Sequence, residues 1–515
     1  MLEQLVPIDP PPGMFYKGTQ YQSKGRWYIG SLVRFFRGNK QPIGGWVQRS
    51  LTGATISGVP NAAVSWRLDN GNAYLAIGTT TGLYVVSSAN VVSNITPVTG
   101  LGGTPYQWQL ETFGSYLMAC HQGPSTLAAG IGSPIFDGIN YYAWTGTPST
   151  PAAVPQTPTT LSSSESAPTA AYGIVATPER FFFLLRGSDP VTPSSPPSDS
   201  IVGDGGGTWP NYSVRRIYWA TQETITDWIP TALNTAGSFD LATNGELITG
   251  RALRGQTLIW STTDAWTATY IGGDFLYRFD RVGMNCGIVG PNAVVVLDIG
   301  AYWMGVNQKF FCYDGFVKTL DCDVSDYVFG SFNASLSSLV WALANPQFNE
   351  ITWYYPSANA TSPDRYVTYN YAENHWVAGI MQRSIGVTQF AGAATPVPVM
   401  IDVSGNIYDH ETGNARGSSS GVFLTSGPIE AGEGDRVGRI QRIVPDDKTA
   451  GDVTVSITTS LFPDATGTVN GPYTLASPTS VRLTARQVLV TITEAAASAW
   501  RVGVIRLGVI PGGRR

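Results

Sequence analysis

Residues 350–376 read EITWYYPSANATSPDRYVTYNYAENHW and show most clearly how this chain folds. The segments 350–355 and 365–370 are dominated by Trp, Tyr, Thr, Ile and Val, the residue types that are enriched in β-strands. The residues between and after these segments include Pro, Ser, Asn and Asp, which favour turns. The stretch therefore predicts two consecutive antiparallel strands, followed by a further strand that begins at His375 and Trp376.

The same arrangement of strands and turns recurs along most of the chain. The other units lie at residues 42–86, 116–144, 180–228, 257–270, 293–315 and 397–408. About seven units of roughly 50 residues fit between residues 31 and 415, and a repeat of this length predicts blades in a ring. Because the first and last units can share strands, we predict an all-β fold with a β-propeller of about six to eight blades.

Changes in composition predict how the rest of the chain is divided. The proline-rich start disfavours a helix and predicts an extended N-terminal arm over residues 1–30, ahead of a propeller at 31–415. Segments near 145–170 and 187–209 are rich in Pro, Ser and Thr or Gly, and they predict insertions in the propeller. After a Ser/Gly-rich link, alternating strands within residues 416–515 predict a small C-terminal antiparallel β-sandwich.

Charge is scarce and unevenly distributed. Only 13% of the residues are charged, against about a quarter in typical domains, and the formal net charge is −5. This balance argues against coating of nucleic acid by bulk attraction and suits a subunit that buries surface against neighbours. The start of the chain is basic, which predicts contact with an acidic partner surface or with DNA. The candidate residues for this contact are Lys17, Lys24, Arg26, Arg34, Arg37 and Lys40.

The sequence lacks the familiar signatures of an enzyme or a metal site. Its three histidines are far apart without HExxH spacing, and its four cysteines show no CxxC pair. Neither a GxSxG elbow nor a GxxxxGK[ST] phosphate loop is present. The start does not resemble a secretory signal, and no run of 18 apolar residues predicts a membrane-spanning segment. We therefore predict no catalytic residue, no metal and no cofactor.

Several short motifs, in a fixed order, carry a resemblance to a known family. They include Gly44-Gly45-Trp46 near the start, the run NCGIVGPNA at residues 285–293, YWMG at 302–305 and YNYAEN at 369–374. In this order the chain resembles the tail nozzle proteins of short-tailed bacteriophages, which are also described as packaged-DNA stabilisation or lower tail-tube proteins. The resemblance extends over nearly the whole chain.

The resemblance implies a structural virion protein with a β-propeller that assembles as a homohexameric ring. Such a ring lies below the portal and adaptor rings of the phage tail, retains packaged DNA and conducts it during ejection. The implied partners are the tail adaptor ring, other tail proteins such as fibres or spikes, and, transiently, genomic double-stranded DNA. The implied location is the virion, after assembly in the host cytoplasm, and the family implies no enzyme activity and no cofactor.

A glycan-binding or glycan-cleaving propeller is the alternative function. It requires facing carboxylates or an exposed aromatic platform. The candidates for such a platform are Trp353, Tyr354, Tyr355, Tyr366, Tyr369, Tyr371 and Trp376. Alternation along strands more often places such rings between blades, so we predict that they pack in the core. The mass of the purified particle distinguishes the two functions, because only the conduit requires a ring of identical subunits.

Overall fold

The computed structural model describes most of the chain as β-strands joined by short connections. The described residues are 3–98, 105–122, 141–148, 150–153, 171–187, 213–273, 275–416, 421–432, 436–446, 449–462, 465–475 and 477–514. Of the insertions predicted near 145–170 and 187–209, residues 154–170 and 188–209 lie outside these described residues. The described helices are the α-helix α1 (Ser325–Phe329) and three 3₁₀ turns, Gln20–Ser23, Ala334–Leu339 and Pro346–Phe348. The predicted all-β class is confirmed.

The described strands are numbered in chain order. Those up to the third blade are β1 (Gln4–Ile8), β2 (Trp27–Ser31), β3 (Val33–Phe36), β4 (Asn39–Pro42), β5 (Trp46–Gln48), β6 (Thr52–Gly53), β7 (Pro60–Arg67), β8 (Ala73–Thr79), β9 (Gly82–Ser87), β10 (Val91–Asn94), β11 (Gln107–Phe113), β12 (Tyr116–Gln122), β13 (Tyr141–Trp144), β14 (Gly173–Ala176), β15 (Phe182–Leu185), β16 (Arg216–Trp219) and β17 (Gly237–Asp240). The next are β18 (Leu247–Leu253), β19 (Gln256–Ser261), β20 (Asp264–Tyr270), β21 (Tyr277–Met284), β22 (Val294–Leu297), β23 (Gly300–Met304), β24 (Phe310–Tyr313), β25 (Val317–Leu320), β26 (Trp341–Asn345), β27 (Glu350–Tyr355), β28 (Arg365–Asn370), β29 (His375–Ile380), β30 (Ile385–Val387), β31 (Val399–Ile401) and β32 (Ile407–His410). The last are β33 (Phe423–Ser426), β34 (Ile429–Glu430), β35 (Arg436–Val444), β36 (Val453–Ser460), β37 (Thr468–Thr474), β38 (Thr479–Ala485), β39 (Gln487–Glu494) and β40 (Ile505–Arg514).

In the part of the chain that the structure describes, seven sheets form the blades of a propeller. Their strand pairs are antiparallel except for β6 with β10 in blade 1, which is parallel. Blade 1 contains β6 to β10, blade 2 contains β11 to β13, and blades 3 to 6 each contain four consecutive strands from β14 to β29. Blade 7 contains β30, β31 and β32. The innermost strands β7, β11, β14, β18, β22, β26 and β30 contact one another in sequence, and β30 contacts β7. The ring is therefore closed, and its seven blades lie within the predicted six to eight.

A strand from the start of the chain closes this ring. The short strand β5 pairs with β32 as the outermost strand of blade 7, with Trp46 opposite His410 and Gln48 opposite Tyr408. The segment around Trp46, which the sequence places at the opening of the first unit, thus completes the last one. Backbone hydrogen bonds between the two ends of the propeller hold it closed.

Buried tryptophans join neighbouring blades. The residues that define the repeat in the sequence form β27 and β28, with Glu350 opposite Asn370 and Tyr355 opposite Arg365. Trp353 and Trp376 are buried, so their predicted place in the core is confirmed. Three buried indoles each donate an N–H to a backbone carbonyl of the preceding blade or its connecting loop: Trp108 to Thr79 (2.9 Å), Trp303 to Cys286 (2.8 Å) and Trp353 to Ala293 (3.1 Å).

Two further sheets form the C-terminal β-sandwich. One sheet has the strand order β1-β40-β35-β38, and the other has the order β2-β33-β39-β36-β37, with β34 also pairing with β39. Buried side chains such as Ile440, Val455, Val490 and Leu507 belong to the hydrophobic core cluster that includes both sheets. The fold class predicted for this part of the chain is confirmed.

The sandwich also contains the start of the chain. Residues 4–8, which the sequence predicts as part of an extended arm, pair with β40, and Gln4 lies opposite Val509. Strand β2 pairs with β33, and Ser31 lies opposite Phe423. An extended proline-containing segment can serve as an edge strand, because the outer side of an edge needs no backbone donor. The structure therefore adds residues before 31 to the unit predicted at 416–515.

The β3–β4 hairpin lies between the sandwich and the propeller. The backbone N–H of Leu32, beside this hairpin, donates to the Tyr366 hydroxyl in blade 6 at 2.8 Å. Strand β2 contacts β29, and the N–H of Met14 donates to the carbonyl of Trp376 at 2.7 Å. The first 40 residues thus connect the two units through buried contacts.

Candidate functional site

Most of the basic residues predicted for partner or DNA contact form ion pairs within the chain. Five of the six do so: Lys17 with Asp321 (2.6 Å), Lys24 with Glu430 (2.8 Å), Arg26 with Asp323 (3.0 Å), Lys40 with Asp9 (2.8 Å), and Arg34 with both Glu350 and Glu411. The sixth, Arg37, is exposed, and its guanidinium lies 5.0 Å from the centre of the Phe36 ring. Arg34 and Lys40 are buried. The structure therefore does not gather the six cations on one free surface, and Arg37 best fits the predicted external contact.

Arg34 is the centre of a buried ionic cluster. Its guanidinium donates two hydrogen bonds to Glu350, at 3.1 and 2.9 Å, and two more to Glu411. Glu411 also accepts from the backbone of Gly44 (2.9 Å) and from the Asn345 amide (3.1 Å). Arg34 belongs to β3, Glu350 begins β27 in blade 6, and Glu411 follows β32 in blade 7. The cluster therefore joins the hairpin to both blades at the closure of the ring.

The cluster carries more negative than positive charge when both carboxylates are ionised. Burial raises the pKa of Glu350 to about 7, Arg34 partly opposes this shift, and the like charge of Glu411 adds to it. Nearby, burial lowers the pKa of His410 well below its ordinary value, and the Arg383 guanidinium, which donates to His410 Nε2 at 3.0 Å, lowers it further. A neutral imidazole and a carboxyl group that takes up a proton near neutrality thus share this region.

The cavity beside the cluster is too small for a sugar. It has a volume of about 40 Å³ and is lined by Glu350, Glu411 and apolar side chains such as Met381 and Met400. A volume of this size accommodates only a few water molecules. Both carboxylates face the Arg34 guanidinium, so this pair is built to hold the hairpin and lacks the open space that a glycosidase needs between its two carboxyl groups.

Side chains bridge the central axis of the propeller. The Gln109 amide, on the innermost strand of blade 2, donates to the carbonyl of Ile248 in blade 4 at 3.1 Å. The Gln107 amide donates to the carbonyl of Ser338, in the connection before blade 6, at 3.0 Å. These bonds connect blades that are not neighbours in the ring, so they cross the space at its centre.

Further polar groups fill the same space. The Asn292 amide, beside blade 5, donates to the carbonyl of Asn61 in blade 1 at 3.1 Å. Arg251 on β18 donates to the carbonyl of Pro291 at 3.1 Å. On β11, burial raises the pKa of Glu111, and the positive charge of Arg251 partly offsets this. The axis is therefore occupied by hydrogen-bonded side chains, and a DNA duplex cannot pass through the propeller itself.

The part of the chain that the structure describes contains neither a candidate metal-binding group nor a candidate membrane-spanning helix. There, no group of three or more His, Cys, Asp or Glu side chains is placed to hold a metal ion. No helix in this part is long and apolar enough to cross a membrane.

Comparison with known proteins yields similarity of structure only. No family model matches the chain, and no curated protein matches it. A streptogramin B lyase has 8% identity and a TM-score of 0.38, covering 71% of this chain and 97% of its own. The WD40 domain of Pan2 from Neurospora crassa has 8% identity and a TM-score of 0.38, covering 73% and 95%. An exo-β-1,3-galactanase from Phanerochaete chrysosporium has 10% identity and a TM-score of 0.26, covering 87% and 99%. These scores are too low to support any argument about function.

The sequence did not predict the buried carboxylates or the axial amides. Glu350 is the first residue of the aromatic strand β27, and a buried carboxylate in such a strand requires a partner. Gln107, Gln109 and Glu111 alternate along β11 and so share one side of that strand. This alternation is the sequence signal that could have indicated a polar centre of the ring.

Proposed function

We propose that this chain is a structural subunit of the tail nozzle of a short-tailed bacteriophage. In this proposal, copies of the chain assemble into a ring that retains packaged DNA and conducts it during ejection, without catalytic turnover. The order of the motifs along the sequence supports the family. The tail adaptor ring and other tail proteins are the proposed neighbours, and the virion is the proposed location.

A set of exposed apolar side chains is the observation that carries the proposal of assembly. We call these residues the apolar loop tips, and they are Leu233, Ile271, Phe275, Ile299 and Phe316. Phe275 and Phe316 retain 80% and 78% of their accessible surface, and Leu233 retains 98%. Large apolar side chains grouped in this way on a protein surface are typical of protein interfaces.

The topology places the apolar loop tips at one end of the propeller. Ile271 and Phe275 lie between the third and fourth strands of blade 4, and Phe316 lies in the corresponding turn of blade 5. Ile299 lies in the turn between the first and second strands of blade 5. In an antiparallel four-stranded blade these two turns share one end. Because innermost strands of successive blades run in the same direction, neighbouring blades present these turns on the same side.

The closed axis determines where DNA can pass in this proposal. Since amide side chains bridge the centre of the propeller, the bore must form between copies of the chain, around the axis of the assembled ring. The low charge of the chain fits such a bore, because each phosphate held by a fixed cation slows the movement of DNA. The family resemblance predicts six copies.

The test is the mass of the purified full-length chain and of two matched double variants. We expect the unsubstituted chain to form a ring, and F275D/F316D to lower the mass of the particle to that of the single chain, because it places charge in an apolar interface. The control M284D/V306D alters two exposed apolar residues at the opposite end of the same two blades and should leave the ring intact. A single-chain mass for the unsubstituted protein, or equal assembly of all three proteins, contradicts the proposal.

The glycan-binding or glycan-cleaving alternative has less support. Six of the seven aromatic residues considered for a sugar platform are buried, and the seventh, Tyr371, is half-buried. The paired carboxylates Glu350 and Glu411 are enclosed and bound to Arg34. A glycan array with the purified chain tests this alternative directly, and specific binding there would favour it over the conduit.

A further inference from the structure

One sheet of the C-terminal sandwich is rich in arginine and lacks acidic residues. Its strands β1, β35, β38 and β40 contain no Asp or Glu. They contain six arginines: Arg436, Arg439, Arg442, Arg482, Arg506 and Arg514. The whole chain has a formal net charge of −5, so this sheet differs sharply from the composition around it.

Four of these arginines occupy the solvent-facing side of the sheet. Arg439, Arg442, Arg482 and Arg506 are exposed, whereas the apolar residues that follow Arg439, Arg442, Arg482 and Arg506 along the strands are buried. We call these four residues the arginine face. On β38 and β40, alternation sends Arg482 and Arg506 outward. On β35, an irregularity in the strand register between Ile440 and Arg442 allows Arg439 and Arg442, which are three residues apart, both to face solvent.

The strand register brings the four arginines close together. Arg439 on β35 lies opposite Thr484 on β38, two residues from Arg482. Arg442 on β35 lies opposite Ser480 on β38 and Gly508 on β40. Arg482 and Arg506 are each two residues from these partners, so both are diagonal neighbours of Arg442. Diagonal neighbours on one face of a sheet are about 7 to 8 Å apart.

Within the described residues, one carboxylate forms an ion pair with the arginine face. Glu3 accepts a hydrogen bond from Arg442 at 2.8 Å. Among the described residues, no carboxylate forms an ion pair with Arg439, Arg482 or Arg506. Like charges that are neighbours on a sheet oppose folding, so four arginines with one paired carboxylate among the described residues indicate an anionic partner.

We propose that the arginine face binds the phosphate backbone of double-stranded DNA. Every cation on the four strands is arginine, whose planar fork matches phosphate oxygens in a two-point contact. The four strands contain no aromatic residue, so they offer no stacking platform for single-stranded bases. A flat sheet face that contacts phosphates reads no base edges, and binding is therefore independent of sequence. The choice of DNA as the polyanion rests on the proposed function.

The experiment measures binding of a short mixed-sequence duplex to the purified full-length chain by fluorescence anisotropy, between about 50 and 200 mM salt. The variant R439Q/R482Q/R506Q removes three cations that lack an ion pair within the described residues. We expect at least tenfold weaker binding at the lowest salt concentration. The slope of log affinity against log salt concentration should also become less negative by about 2 to 3, because each lost phosphate contact contributes about 0.9 to that slope.

The matched control R254Q/R278Q/R281Q removes the same charge from exposed positions in blade 4. It should bind the duplex like the unsubstituted chain, and thermal unfolding checks that both variants fold. Equal losses in both variants, or no binding by the unsubstituted chain, overturn the proposal. Competition by polyglutamate that equals competition by unlabelled duplex would also overturn it, in favour of an acidic protein surface.

The outcome for DNA binding is separate from the outcome for the ring. If the chain forms a ring but the arginine-face variant binds DNA normally, this inference fails and the proposed assembly stands. If the chain stays single but the arginine-face variant loses DNA binding, the assembly fails and the arginine face stands.

Discussion

The two basic regions of this chain use their cations in opposite ways. The basic N-terminal segment, residues 17–40, has five of its six predicted contact residues in ion pairs with carboxylates of the same chain. The arginine face has only Arg442 paired in this way within the described residues. The comparison shows that a run of basic residues does not by itself indicate a binding surface. What distinguishes the regions is whether the fold brings carboxylates to the cations.

Apart from Asp9, which pairs with Lys40, the partners of the N-terminal cations come from distant parts of the sequence. Arg34 and Glu350 are 316 positions apart, and Lys17 and Asp321 are 304 apart. Closure of the propeller and packing of the sandwich against it bring these residues together. The N-terminal segment thus contributes its charge to holding the fold, whereas the arginine face leaves its charge available to a partner.

The largest expected effect comes from removing the central cation of the buried cluster. In R34A, Glu350 and Glu411 lose their shared guanidinium, and we expect the free energy of unfolding to fall by about 3 to 5 kcal/mol. Denaturant unfolding measures this loss. The control R37A alters the exposed neighbour and should change stability by less than about 0.5 kcal/mol. Equal stability of R34A and R37A would break the comparison, since Arg34 would then not hold the fold.

A smaller effect is expected from pH. The folded pKa of Glu350 is about 7, above its ordinary value of 4.5, so the folded state binds the proton more tightly. The contribution of Glu350 to stability is therefore greatest below about pH 4.5 and falls as pH rises to about 7, by on the order of 3 kcal/mol.

Comparison with the amide variant isolates this contribution. E350Q lacks the titrating group and retains a similar shape, so it should lose less stability than the unsubstituted chain between about pH 5 and pH 8. Parallel denaturant titrations at both pH values measure the difference. Identical pH dependence of the two proteins would show that Glu350 does not titrate in this range.

The smallest effect on stability is expected at the arginine face. R439Q/R482Q/R506Q removes like charges from one exposed sheet surface, so stability should stay within about 0.5 kcal/mol or rise slightly. Thermal unfolding at low salt is the measurement, because salt screens this repulsion. A large loss of stability would show that these arginines hold the fold, as Arg34 does, and would remove the contrast between the regions.

The repeated strands could be predicted from the sequence because their signal is local. Aromatic and β-branched residues in segments such as 350–355 mark each strand, and the turns separate them. Closure by β5 was harder to predict, since a strand of three residues carries little pattern and its partner β32 is far along the chain. The pairing of β1 with β40 was also not predicted, because these two strands lie at opposite ends of the sequence.

The polar contacts that define the candidate sites depend on long-range geometry. The sequence indicated that Arg34 is a cation, but its burial between Glu350 and Glu411 follows from the closed ring. Gln109 shows the same limit, because its bond to Ile248 requires blades 2 and 4, which are not consecutive, to approach each other at the centre of the ring. Alternation in the sequence can place such residues on one side of a strand. Their hydrogen-bond partners depend on how the blades are arranged in three dimensions.

The central claim is that DNA passes between copies of this chain and not through its propeller. Electron microscopy of the purified particle, with its mass measured on the same sample, tests this most directly. We predict a ring, of six copies if the family resemblance holds, with an opening on its symmetry axis and filled centres in the individual propellers. A single chain in solution, or a ring whose symmetry axis is closed, would contradict it.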